Sequence, residues 1–298
     1  MLLGVVYMVK NLRFWGTSAG EGTPTPFCEC DICRTARAVG GPELRLRSSF
    51  RIDEETMLDI GADFNAAALK MGETLFGLKN VLYTHTHEDH FNYMMIWTRY
   101  VARKKPDFPL NIYFVDKAYD ILDKFYFTSP VTSGREGYTR SSDVNFVRLE
   151  FLREYDIGGH RVTPLRGNHA TAFEDNSANY LIKLADGRRL YYGLDTGYYL
   201  DETFEYLAGQ KLDILISECT MPILTDDGRN SNGHMNLHTF LRCAERLYKQ
   251  GTIDERTRVY LTHIAPIGTT HAGLCEYIAG LKLPYRLMVA YDGLAIDG

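Results

Sequence analysis

Short apolar runs closed by turn residues recur along the chain, and they predict strands over residues 12–15, 48–52, 56–60, 81–84, 161–165, 179–184, 189–194, 213–217, 258–262 and 287–290. Between many of them apolar residues return at helical spacing, which predicts helices over 91–102, 237–248 and 272–280. No linker or low-complexity stretch divides the chain, so the pattern describes one α/β domain over residues 1–298, built in two halves. Between residues 90 and 169 the rhythm is interrupted, and an excursion around 104–145 reads as a lid insertion. Its aromatics Tyr119, Phe125, Tyr126 and Tyr138 can stack on a base or a sugar, although aromatics at that density more often fill a core.

Composition narrows the classes only a little. At 298 residues, 45% hydrophobic and 24% charged, the chain can bury one large core or the layers of a sandwich. A formal charge of -5 gives no global attraction to nucleic acid, and the basic group Arg99, Arg103, Lys104 and Lys105 reads as a solvated helix end. The apolar opening from Met1 to Val9 lacks a basic start and a small-residue cleavage site, so it reads as a short extension or the lead into the first strand. No later run approaches a membrane span, and reduced cysteines fit the cytoplasm.

The chemistry concentrates in Thr84-His85-Thr86-His87-Glu88-Asp89-His90, directly after the apolar segment Asn80-Val81-Leu82-Tyr83. Alternation along an extended chain puts His85 and His87 on one face, and Asp89 and His90 fall on the turn into the next helix. A lone histidine is usually a satisfied core or surface group. Three within six residues, joined by an aspartate, read as a metal site, since imidazole suits zinc, iron and manganese while carboxylates neutralise harder ions.

With this HxHxDH signature the chain resembles the metallo-β-lactamase superfamily. The resemblance implies a four-layer αββα sandwich with a metal cleft along one edge, and further ligands in a fixed order, each after a strand. His169 in Gly167-Asn168-His169, Asp195 in Gly193-Leu194-Asp195 and His263 in Leu261-Thr262-His263 match those places. On that pattern one divalent ion, zinc or manganese, takes His85, His87 and His169. A second takes Asp89, His90 and His263, and Asp195 bridges the two. Asp59, in Leu58-Asp59-Ile60-Gly61, matches an aspartate that orients the imidazoles from behind. True β-lactamases carry a cysteine in the bridging place, so lactam hydrolysis loses ground.

A second constellation, Phe27-Cys28-Glu29-Cys30-Asp31-Ile32-Cys33, follows a loop opened by Gly16-Thr17-Ser18-Ala19-Gly20 and stiffened by Pro24 and Pro26. Its cysteines are too close to bridge one another without strain, and they read as thiolates converging on one zinc, with a redox pair as the competing reading. This CxCxxC loop and the closing Tyr291-Asp292-Gly293-Leu294 are similar to the phosphoribosyl 1,2-cyclic phosphate phosphodiesterase branch. That likeness implies one structural zinc on Cys28, Cys30, Cys33 and a histidine three residues beyond the last catalytic one. Pro266 occupies that place, so His271 is the expected fourth ligand, with Cys275 one turn later in reserve. His234, in Asn232-Gly233-His234-Met235, matches a histidine that approaches the scissile phosphate and assists the departing oxygen, whereas His238 reads as a helix residue without chemistry.

The expected activity is metal-dependent hydrolysis of a phosphoric diester, with Asp89 and His234 in the catalytic set and a small or cyclic phosphate ester as substrate. Two ions about 3.5–4 Å apart lower the pKa of a shared water, and no serine or cysteine nucleophile is needed. Lactone or thiolester hydrolysis and a non-hydrolytic role in cofactor biosynthesis are the alternatives. The expected partners are the ester and a second copy of the chain in a homodimer, with no membrane and no nucleic acid.

Overall fold

The apolar runs pair into two sheets, and the alternation of side chains within them decides how the sheets stack. The computed structural model describes residues 12–122, 143–171, 176–223 and 233–296. Its first sheet holds β1 (Leu12–Gly16), β2 (Ser49–Arg51), β3 (Thr56–Leu58), β4 (Asn80–Leu82), β5 (Leu110–Val115) and β6 (Val144–Leu149). The second holds β7 (Tyr155–Ile157), β8 (His160–Ala170), β9 (Asn176–Lys183), β10 (Arg189–Gly193), β11 (Ile214–Glu218), β12 (Arg258–Thr262) and β13 (Arg286–Val289). β14 (Ala295–Ile296) then returns to the first sheet beside β1.

Both sheets are built the same way. β14, β1, β2 and β3 are antiparallel neighbours and β3 to β6 run parallel; β7 to β10 are antiparallel and β10 to β13 run parallel. Helices α1 (Asp31–Val39), α2 (Phe64–Met71), α3 (Met94–Val101), α4 (Asp116–Leu122), α5 (Asp201–Leu207), α6 (Leu237–Lys249) and α7 (His271–Ala279), with a short 3-10 helix over Gly41–Glu43, complete the described elements.

In β10, Leu190 and Tyr192 face a core shared with Phe14, Phe50 and Leu82 of the first sheet. Tyr191, between them, points the other way, into a core with Phe204 of α5 and Phe240 and Leu247 of α6. β11 repeats this with Ile214 and Ile216 against Leu215, and β12 with Tyr260 against Val259 and Leu261. Period-two alternation with both faces apolar is the mark of a sheet covered on both sides. The result is the four-layer αββα sandwich that the motif implies. No helix among the described residues is long and apolar enough to cross a membrane.

The excursion expected to form a lid is partly core. β5 lies between β4 and β6 with Ile112 and Phe114 fully buried, and α4 packs on β5 and β6 through Ala118 and Leu122. The alternation in Leu110-Asn111-Ile112-Tyr113-Phe114 is the strand signal that the sequence reading passed over. Residues 123–142, with Phe125, Tyr126 and Tyr138, lie outside the described residues, as do 1–11 and 224–232.

The chain's end is fastened by one buried carboxylate. Asp292 Oδ1 accepts from Thr17 Oγ1 at 2.7 Å, and Oδ2 accepts from the Leu46 amide at 2.7 Å and faces Lys70 Nζ at 2.9 Å. Burial raises its pKa, against the Lys70 charge. Lys70 is a third exposed and can be hydrated, but Asp292→Ala leaves the Thr17 hydroxyl and the Leu46 amide without an acceptor, at about 1–3 kcal/mol for each unsatisfied group. It is expected to destabilise the fold by that order and Asp292→Asn, which keeps an acceptor, by less. Urea midpoints of the three proteins test this; equal midpoints would remove Asp292 from its role as a fastening.

Candidate metal centre

Six strands release side chains at one edge of the sandwich: Asp59 after β3, the turn 84–90 after β4, His169 near the end of β8, Asp195 after β10, Glu218 at the end of β11 and His263 after β12. Three of these residues leave their strands in the left-handed region, with φ of 53° at Asp59, 43° at Asp195 and 54° at His263. Non-glycine residues there cost about 1–3 kcal/mol each and persist only where their surroundings over-determine them. The same departure explains why the strand expected over 56–60 ends at Leu58.

The histidine-rich turn is held from both sheets. The Ala178 amide donates to Thr84 O at 2.7 Å and the Ile60 amide to His90 O at 3.0 Å. Gly61 permits this closeness, since a Cβ there would lie 1.9 Å from the Asp89 carbonyl oxygen. β4 ends at Leu82, so His85 and His87 lie in an irregular, bent segment instead of an extended strand, and α3 begins only at Met94. Their ring nitrogens still meet, His85 Nε2 lying 2.8 Å from His87 Nδ1.

Beside a third group of Glu218, His234 and His263, two groups of donor atoms result, each within 4.8 Å: His85, His87, His169 and Asp195, and Asp89, His90, Asp195 and His263. Asp195 belongs to both. Its Oδ2 lies 3.4 Å from His85 Nε2 and 3.8 Å from His169 Nε2, and its Oδ1 lies 2.8 Å from His263 Nε2 and 3.3 Å from His90 Nε2. Nitrogens around a tetrahedral zinc at about 2.0–2.1 Å stand about 3.3 Å apart. The spacing of His90 Nε2 and His263 Nε2, 3.3 Å, matches that.

The far side of each ring fixes which nitrogen faces inward. Asp59 Oδ2 lies 2.9 Å from His90 Nδ1, and Asp59 Oδ1 accepts from the Thr84 amide at 2.8 Å. Thr220 Oγ1 donates to Glu218 and therefore accepts from His263 Nδ1, 2.8 Å away. Both rings so turn Nε2 toward Asp195. Asp195 Oδ1, buried and 2.8 Å from His263 Nε2, makes no aligned hydrogen bond. A buried carboxylate oxygen without a hydrogen bond, ringed by imidazole nitrogens from several strands, is what a divalent ion displacing the ring protons would satisfy, so the donor set fits such ions.

The electrostatics agree. Burial pushes the His85 ring well below its ordinary pKa, with the neighbouring His90 adding to the fall. Burial also opposes charge on His263, yet Asp195 outweighs it and the pKa is pushed up to about 10. His234 stands beside this cluster, its Nδ1 3.4 Å from Glu218 Oε2 and its ring centroid 4.7 Å from that of His169. Glu218 outweighs burial and raises the His234 pKa. Gly233, at φ 74°, lets the chain cross closely over Asn168 and His169. His238 follows on α6, away from these donor groups.

Glu218 and Thr220 are functional candidates that the sequence reading missed. The signal was present in Ile214-Leu215-Ile216-Ser217-Glu218: a strand-end acid after an apolar run, as at Asp59.

The sulfurs of Cys28, Cys30 and Cys33 also lie within 4.8 Å of one another. Cys30 is exposed, and its pKa is lowered by hydrogen bonding from the Cys33 amide and the Cys28 thiol; burial raises that of Cys33. α1, absent from the expected elements, starts inside this loop. His271, the expected fourth ligand, is not brought into the thiol group: Arg45 Nη2 lies 2.7 Å from its Nδ1, and burial with the Arg45 charge holds its pKa down at about 4. The reserve, Cys275, faces His271 Nε2 at 3.5 Å.

A sandwich of two mixed sheets with imidazoles and carboxylates gathered at one edge defines a protein of the metallo-β-lactamase fold. The chain belongs to the beta-lactamase superfamily, whose domain model matches residues 56–264, and so to a family of metal-dependent hydrolases. A comparison with curated proteins gives no match. Among solved structures the chain is similar to a diphosphatase from the PhnP family, with 22% identity, 97% of each chain covered and a TM-score of 0.71. It is similar too to zinc-bound PqqB from Methylobacterium extorquens, with 19% identity over 96% of this chain and 99% of that one and a TM-score of 0.69. The short form of human tRNase Z follows at 17% identity, 96% and 98% coverage and a TM-score of 0.62.

Two outcomes are expected. Asp59→Ala, which frees the His90 ring, should weaken binding of one ion by about 10–100-fold, read by competition with a fluorescent zinc chelator; unchanged affinity would remove Asp59 from the support of His90. After ions are stripped with a chelator, His263 with its pKa of about 10 holds a proton at neutral pH that an incoming ion must displace. Affinity should therefore rise with pH up to that value, by about tenfold per pH unit for each proton released. Zinc titration calorimetry in two buffers of different protonation enthalpy counts those protons, and identical heats would contradict the displacement.

Proposed function

We propose that this chain is a metal-dependent phosphoric diester hydrolase acting on a small or cyclic phosphate ester. The observation that carries the reading is the His234–Glu218 pair beside the two donor groups, because a phosphate ester leaves as an alkoxide that needs a proton and the Glu218 carboxylate, 3.4 Å from His234 Nδ1, raises the pKa of that ring. His85, His87 and His169 would hold one ion, Asp89, His90 and His263 the other, and Asp195 both. When bound, such a pair supplies a water of lowered pKa and positive charge for the phosphoryl oxygens.

The chain's own residues do the rest. His85, His90, His263 and Asp195 are buried, while the side chains of Asp89, His169 and His234 keep 16, 8 and 18% exposure, so an ester reaches the centre from their side. Asp59 and Thr220 engage the outward nitrogens of His90 and His263, so Nε2 is the nitrogen each ring would offer to an ion. Glu218 holds the proton on His234 Nδ1, and His234 delivers its other ring proton to the departing oxygen. A diphosphatase of the same fold agrees with phosphate chemistry, and the net charge of -5 favours a small ester over a long nucleic acid.

Metal content per chain, measured together with hydrolysis of bis(p-nitrophenyl) phosphate, tests the reading. Two ions outside the cysteine loop are expected, with activity abolished in Asp89→Ala. His234→Ala should lose about 10²–10⁴-fold toward an alkyl ester but far less toward p-nitrophenyl esters, whose leaving group needs no proton. A fully metallated protein inert toward phosphodiesters and active on a lactone or thiolester would overturn it.

A further inference from the structure

The thiol loop offers three corners of a metal site. Sulfurs around a tetrahedral zinc, at about 2.3 Å from it, stand about 3.8 Å apart, and those of Cys28, Cys30 and Cys33 lie within 4.8 Å of one another. Among the described residues no histidine, cysteine or carboxylate joins them as a fourth.

His271 comes near enough to line the same small cavity as Ile32 of α1, but its chemistry is spoken for. A guanidinium can only donate, so Nδ1 of His271, 2.7 Å from Arg45 Nη2, is the accepting nitrogen and Nε2 carries the ring proton. That proton faces Cys275 Sγ. A metal ligand must offer a lone pair, and the only one on this neutral ring is taken. Arg45 is not free to withdraw: it is 5% exposed, and its Nη1 donates to Thr17 Oγ1 at 2.8 Å and to Ala290 O at 2.7 Å. The helix start is pinned as well, because the Glu43 carboxylate accepts from the His271 and Ala272 amides at 2.8 and 3.0 Å. Pro266, in the place the resemblance gives to a histidine, has no donor atom on its side chain.

We infer that Cys28, Cys30 and Cys33 form a metal site of three protein ligands with one position open to a ligand from solution, in place of a closed structural zinc. Cys33 is the buried anchor and Cys30 the exposed corner, so small molecules can reach the ion. Such a site takes thiophilic ions, zinc among them, and completes their shell with water, a small thiol or an imidazole. It is independent of the hydrolytic reading.

Cobalt(II) loaded into the reduced, full-length protein tests this, because thiolate-to-cobalt charge-transfer absorption comes from the cysteine site and not from the imidazole and carboxylate groups. Added β-mercaptoethanol or imidazole is expected to shift that absorption saturably while the cobalt stays bound through gel filtration. His271→Ala should leave the spectrum as it was, and Cys30→Ser should weaken it. A spectrum indifferent to both added ligands, or one altered by His271→Ala or Cys275→Ser without them, would show a closed site and overturn the inference. So would the absence of any thiolate band with cobalt, zinc or cadmium. The ligand titration uses the unaltered chain, so a variant that fails to fold does not decide the outcome.

Discussion

Asp195 is the constraint around which the rest is arranged. Its carboxylate is 2% exposed and lies within 4 Å of imidazoles from the turn after β4, from β8 and from β12. A buried carboxylate left alone would cost several kcal/mol, so both sheets must bring positive or ion-binding groups to one edge in fixed register. The backbone on either side is pinned accordingly. Ser177 Oγ donates to Asp195 O at 2.5 Å, Asn179 Nδ2 to Leu194 O at 2.9 Å, and the Thr196 amide to Glu218 Oε1 at 2.5 Å.

That pinning makes the left-handed backbone at Asp195 tolerable, and the same logic runs through its neighbours. Asp59 is held through Thr84 and the His90 ring, and His263 through Thr220 and Glu218. Strain is thus stored where the strands end, and each store is locked by a polar group contributed from a different strand. The apolar sandwich supplies the stability against which this is set. Behind the turn, Tyr83 stacks on Phe114 at 4.8 Å and meets Phe91 edge-on at 5.1 Å, so the ligand-bearing segment rests on a rigid aromatic floor.

What the sequence disclosed follows from how local each signal is. The histidine turn is legible because its chemistry is packed into seven letters, and β9 to β13 are legible because their cores lie on both faces and leave long apolar runs. β5 went unread because it sits in a stretch dominated by polar and aromatic residues. β14, two residues long, owes its existence to pairing with β1 across the whole chain and has no local signal. Glu218 and Thr220 were missed for a similar reason: a glutamate after Ile216 and Ser217 looks ordinary until β11 places it under His234 and Thr220. His271 shows the converse. Its spacing suited a ligand, and only the arrival of Arg45 from a distant segment shows which of its nitrogens is available.

Arg45 also joins two regions that are chemically separate. Through Nη1 it donates to Thr17, whose hydroxyl donates in turn to Asp292 and whose carbonyl accepts the amide of Ile264, the residue after His263. Ser18 Oγ bonds the Ile264 carbonyl at 3.2 Å, and a Cβ on Gly20 would lie 3.3 Å from Asp89 Oδ2. The segment 16–20 is therefore both the root of the thiol loop and a wall against two of the inward-facing donors. Displacing it would move the backbone of His263 and crowd Asp89 without touching a ligand atom. Cysteine loop and imidazole cluster are coupled by scaffold, through Thr17 and Arg45, even though no donor atom is shared between them.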